Sequence, residues 1–82
     1  FVLPFLEVYM VEVRLFATLR ENRGKILYLP EEKCQNGQMI CDHLAIDSKD
    51  VAIFLINGIH STLQDAIRDQ DIIAIFPPVG GG

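Results

Sequence analysis

Three glycines, Gly80-Gly81-Gly82, close the chain behind Pro77-Pro78-Val79, and their type and spacing point most directly to chemistry. Glycine is about 7% of average sequence, so three in a row arise by chance below about once in a thousand. Lacking Cβ atoms, such a run adopts conformations closed to other residues and threads a channel too narrow for side chains. The group it would carry is the carboxylate of Gly82, presented to another protein's active site. The contrasting reading is a terminus without a role, because chain ends commonly lie outside the fold.

Other reactive side chains form no constellation. Cys34 and Cys41 lie seven apart without a CxxC pair, which signals neither a disulfide framework nor a zinc site. Both read as reduced structural thiols. A metal shared by Cys41 and His43 would need four ligands, and the only other histidine is His60, so no metal is expected. With 82 residues there is room for one domain but little for a self-contained catalytic cleft. Half the residues are hydrophobic, which supplies a core and excludes disorder. The net charge of -4 excludes the basic footprint of a nucleic-acid binder and favours protein partners with basic clefts. No stretch reaches 18 apolar residues, so no membrane-spanning helix is expected, and the reading is a cytoplasmic protein.

The elements that must position the tail are legible from periodicity. Residues 1–10 read as an N-terminal extension without the marks of a signal peptide, with Met10 as the expected natural start and an extra strand as the alternative. Residues 11–76 form the domain and 77–82 the tail. Val11, Val13 and Leu15 alternate with Glu12, Arg14 and Phe16, the period of a strand with one buried face. Lys25 to Leu29 gives a second strand, joined by a wide loop and ended by Pro30, with Glu31-Glu32 at a position favouring a helix start. Met39, Ile40, His43 and Leu44 share a helical face, predicting a helix over roughly 38–45 capped by Asn36, with His43 partly buried. Val51 to Ile56 and Asp71 to Phe76 are apolar on both faces, the signature of central, buried strands. Asn57-Gly58 marks a tight turn after the first of them, and Thr62 to Arg68 looks briefly helical. The order is an α+β sheet wrapping one main helix.

Leu15-Phe16-Ala17-Thr18-Leu19-Arg20-Glu21, Asn57-Gly58, and Asp71 through Gly82 together resemble the ubiquitin-like sulfur carriers of the MoaD and ThiS type, the molybdopterin synthase small subunits above all. The resemblance spans about 11–82. It implies a β-grasp fold with the first and last strands paired in parallel at the centre of a mixed sheet. It also implies a mechanism in which an E1-like adenylyltransferase uses ATP to adenylate Gly82, after which sulfur displaces AMP and leaves a thiocarboxylate. The chain itself would bind no cofactor and act as a non-catalytic carrier beside a larger catalytic subunit such as that of molybdopterin synthase. Thiamine-pathway or tRNA-thiolation carriers, a ubiquitin-like protein modifier and a plain interaction domain are the alternatives. A plant-type ferredoxin fails, because two cysteines cannot hold its cluster.

Two departures from the family pattern stand out. Asp69-Gln70-Asp71 replaces the usual Asp-Gly-Asp, predicting a turn without positive φ, and Gly37 falls in a poorly matching helix. Pro77 and Pro78 favour extended geometry that aims the tail outward, and Val79 to Gly82 reach at most about 13 Å. Phe76, Phe54 and Ile56 are the candidate partner-binding residues, on whichever sheet face the helix leaves uncovered, with Asp69 and Asp71 at the rim.

Overall fold

In a computed structural model of the chain, which describes residues 9–79, the alternation at Met10 becomes strand β1 (Met10–Leu15). The expectations for residues 1–8 and for Gly80, Gly81 and Gly82 lie outside the described residues. Strand β2 (Ile26–Pro30) folds back antiparallel on β1, and Val11 faces Leu29 across the pair. Helix α1 (Gly37–Leu44) follows, then β3 (Ile53–Ile56), β4 (Ile59–His60) and β5 (Ile72–Phe76). The sheet order is β2-β1-β5-β3-β4. The first and last strands run parallel at its centre, with Glu12 opposite Ile72 and Leu15 opposite Ile75. This is the mixed β-grasp sheet.

The period of two decides which face is buried. Val11, Val13, Leu15, Ile73 and Ile75 are fully buried on the helix side, joined by Ile40 and Cys41 from α1. Each such aliphatic side chain stabilises by roughly 1.5–3 kcal/mol relative to exposure. Among the described residues no layer covers the opposite face: Tyr28 is 62% exposed and Ile53 40%. Apolar residues on both faces of β3 and β5 therefore signal centrality in the sheet without burial on both sides, which corrects the expectation of double burial.

The helix is shifted by one residue, and its buried face differs from the expected one. Gly37, Ile40 and Cys41 are buried with Leu44 packed alongside, whereas His43 is exposed. The inward spacing is i, i+3, i+4, i+7 counted from Gly37, and glycine hid the start of the stripe. A Cβ at Gly37 would stand 2.6 Å from Phe54 Cζ and 2.8 Å from Leu63 Cδ2, so the helix approaches the sheet closely at this residue. Asn36 caps the helix as expected, its side chain accepting from the Met39 amide at 2.8 Å.

Residues 62–68 form turns with no helix. Asp65 accepts from the Thr62 amide at 2.8 Å, and Ala66 bridges Asn36, so the segment spends its hydrogen bonds on the start of α1. Asn57 and Gly58 take φ of 52° and 82° in the expected tight turn, which joins β3 to the short strand β4.

Gln70 does take a positive φ, 68°, against expectation. Its amide donates to Met10 O at 2.7 Å, Asp69 Oδ1 accepts from the Met10 amide at 2.8 Å, and Asp71 Oδ2 accepts from the Arg68 amide at 2.9 Å. These bonds hold a residue with a Cβ in the left-handed region, at a cost of about 1 kcal/mol. Gln70→Gly is expected to raise stability by about 0.5–1 kcal/mol, partly offset by the unfolded-state entropy of glycine, read as a higher denaturant midpoint at unchanged slope.

Candidate functional site

The chain leaves the sheet from its middle strand. Ile53 opposite Phe76 is the last pair between β3 and β5, the Ala52 amide donates to Phe76 O at 2.8 Å, and Pro77 has no amide hydrogen to extend the ladder. Pro78 and Val79 then stand in solvent, Val79 94% exposed. The tail is thus rooted in the central strand, paired on both sides, and released at once.

Phe16 and Phe76 meet at this root on the uncovered face. Their rings stack with centroids 4.1 Å apart and planes 8° from parallel, and the Arg20 guanidinium lies over Phe16 at 5.3 Å. Together with Ala17, Ile53 and Pro77 they line an apolar hollow of about 420 Å³ that ends against Val79. Ala17, at φ 54°, turns the chain from β1 into a 3₁₀ turn (Ala17–Arg20) and brings Phe16 over β5. The stacked rings give this face a partly exposed aromatic feature of the kind that anchors protein interfaces.

Of the three candidate docking residues, only Phe76 lies on this face. Phe54 is 4% exposed and packs against Gly37, and Ile56 packs on the core, because register places both on the helix side opposite Ile75 and Ile73. Phe54 and Ile56 are therefore core residues, which corrects their assignment to a patch. Ile53 and Phe16 take the places beside Phe76. Phe16 was within reach of sequence reasoning, since the alternation that buries Leu15 turns its neighbour outward. Asp69 and Asp71 sit at the far end of β5, closing the turn described above, with Asp71 Oδ1 also accepting from Asn57 Nδ2 at 2.9 Å. They rim no patch at the tail.

Neither thiol suits nucleophilic work. Cys34 and Cys41 are buried and free, and desolvation first, then the charge of Glu31 on Cys34 and of Asp42 on Cys41, pushes both thiols up to about 11. Near neutral pH they remain protonated. Among the described residues no three His, Cys, Asp or Glu side chains gather as metal ligands would, and no helix is long and apolar enough to cross a membrane.

A five-stranded mixed sheet with parallel terminal strands, one helix in its grip and a tail leaving the central strand defines the ubiquitin-like β-grasp proteins. Within that class the chain belongs to the ThiS family, whose match covers residues 13–82. Among solved structures, SAMP1 from Haloferax volcanii is 26% identical, covers 89% of this chain and 99% of its own, and superposes with a TM-score of 0.69. The small archaeal modifier protein 1 from Methanosarcina acetivorans is 27% identical over 93% of this chain and 99% of its own, with a TM-score of 0.68. A chain from the complex of subunits 1 and 2 of the molybdopterin-converting factor of Helicobacter pylori is 24% identical, a likeness of fold, over 89% and 99% of the two chains with a TM-score of 0.59. No curated protein matches the chain.

Proposed function

We propose that the chain is a sulfur carrier whose Gly82 carboxylate is adenylated by an E1-like enzyme with ATP and then converted to a thiocarboxylate. A carboxylate is a poor electrophile, and the acyl-adenylate supplies a leaving group that a persulfide sulfur displaces. The observation that carries this reading is the tail root: an exposed strip leaves the central strand beside an apolar hollow, inside a family match that runs through residue 82. Such a carrier needs no acid, base or nucleophile of its own. Molybdopterin biosynthesis is the favoured destination, supported by the fold-level likeness to a subunit of the molybdopterin-converting factor, and a larger catalytic subunit is the partner that would take the sulfur.

Two measurements test this. Incubation with the E1-like enzyme of the same genome should support ATP–pyrophosphate exchange, and intact mass of the protein from its native host should show one oxygen replaced by sulfur. Absence of exchange with every such host enzyme overturns the proposal. A second reading, conjugation of Gly82 to lysines, draws on the likeness to two archaeal modifier proteins, and isopeptide-linked peptides in the host proteome would establish it.

Docking follows from the same root. Phe76→Asp and, separately, Ile53→Asp are expected to weaken the complex with the catalytic subunit at least about 30-fold by calorimetry, as loss of an interface anchor costs 2 kcal/mol or more. The monomer should stay folded, because both side chains lie on the uncovered face and the ring stack contributes only about 0.5–1.5 kcal/mol. Normal binding by both variants would place the interface elsewhere.

A further inference from the structure

Phe16 lines a second hollow on its other flank. This one, of about 350 Å³, is formed with Arg14, Leu15, Arg20, Lys25 and Ile26. Its charge runs against that of the molecule: the chain carries 11 acidic residues against 7 lysines and arginines, yet three cations and no carboxylate line this hollow. Arg14 is offset by an ion pair with Glu12. Arg20 and Lys25 are not, having no acidic partner among the described residues. Arg20 is also held in place, its Nε donating to Leu15 O at 2.8 Å while its guanidinium rests over the Phe16 ring, so little side-chain entropy remains to be lost on binding. Lys25 is fixed through its backbone, whose carbonyl accepts from the Leu15 amide at 2.8 Å. Ile26, in the same lining, is 49% exposed.

We propose that this hollow receives an acidic segment of the partner protein, with carboxylates at Arg20 and Lys25 and an apolar side chain against Ile26. The inference rests on the carrier reading only for which protein presents the segment. Because Phe16 is the wall between this hollow and the one beside the tail, a partner seated over Phe76 reaches both at once. The acidic segment then sets the direction in which the partner lies across the tail root and speeds encounter. An alternating acidic and apolar peptide suits the site better than a phosphate, which has nothing to place on Ile26. A nucleic acid is disfavoured by the net charge of -4.

The test is an NMR titration of the isotope-labelled full chain with a capped peptide of alternating glutamate and leucine, beside its glutamine counterpart. The glutamate peptide should shift the Arg20 Nε–H signal and the amides of Phe16, Arg20, Lys25 and Ile26. Its apparent Kd should rise about fivefold or more when salt goes from roughly 0.05 M to 0.3 M, as screening of exposed charges requires. Arg20→Glu with Lys25→Glu should erase the shifts, and Lys25→Glu alone, at an exposed side chain, should weaken them with the fold intact. Lys33→Glu with Lys49→Glu, which changes net charge equally, should leave them. Equal response to the glutamine peptide, loss in the Lys33/Lys49 control, or the same signals shifting at lower concentrations of inorganic phosphate or a short oligothymidylate would each overturn the proposal. None of these readouts involves adenylation, so failure of the carrier reading leaves them in place and is seen separately.

Discussion

Deleting Gly82, or replacing Gly81 with valine, is expected to reduce thiocarboxylate formation at least about 100-fold, because displacing a reacting group by even about 1 Å costs that much. The two changes act differently. Deletion leaves a carboxylate on Gly81 that falls one residue, about 3.3 Å, short of the adenylating site. Valine keeps the reach but adds an isopropyl group where a channel shaped for glycine has no space. Thermal unfolding of both variants should match the parent, since Pro78 and Val79, the last described residues before the glycines, are exposed, Val79 almost wholly. Single-turnover formation of the acyl-adenylate, followed by intact mass, reads the effect. Normal transfer by Gly81→Val would show that the receiving channel tolerates side chains and would remove the steric reason for a glycine tail.

Gly37→Ala should lower stability by about 1–3 kcal/mol, the usual cost of overpacking a core. The added Cβ would meet two atoms of the Phe54 ring and one of Leu63 below 3 Å, and the ring is wedged between α1 and the sheet. Working against this is the better helix propensity of alanine, worth at most about 1 kcal/mol and less at a first helical position. Overpacking wins, and for a domain of this size each kcal/mol lowers Tm by about 4–8 °C. Gly37→Ala combined with Phe54→Leu should recover part of the loss, because the smaller side chain vacates the space the methyl enters. Additive losses in that double variant would mean that the helix moves and the ring does not. Adenylation at saturating enzyme should persist below the unfolding transition, because Gly37 lines neither hollow at the tail root.

How far the sequence carried depended on whether a residue's role lay in its own periodicity. The first strand was legible because Val11, Val13 and Leu15 repeat at two and the last because Asp71 to Phe76 is a short apolar run, and the parallel pairing of β1 with β5 followed from the family resemblance. The cap at Asn36 is a local hydrogen bond and showed as one. What failed was set by contacts across the fold. Nothing in Val51 to Ile56 says which side the helix will cover, so Phe54 and Ile56 were placed on the open face when register turns them inward. Gly37 opens the buried stripe of α1 without a side chain to announce it, and the exposed His43 was drawn into that stripe instead. Gln70 occupies a glycine's conformation because Met10, 60 residues earlier, closes hydrogen bonds around it, a contact no local pattern encodes. At the candidate site, the glycines and prolines were legible as composition, whereas the Phe16–Phe76 stack exists only once two distant strands lie side by side.

The parallel pairing of β1 with β5 also decides how the molecule bears load. The chain enters β1 at Met10 at one end of the sheet and leaves β5 at Phe76 at the other, so tension applied between the tail and the start of β1 runs along both strands in opposite directions. The hydrogen bonds between them lie across that tension and are strained together, as in a lap joint, instead of opening one after another as in a zipper. A pull on the tail with the start of β1 held is therefore met by the whole β1–β5 ladder at once.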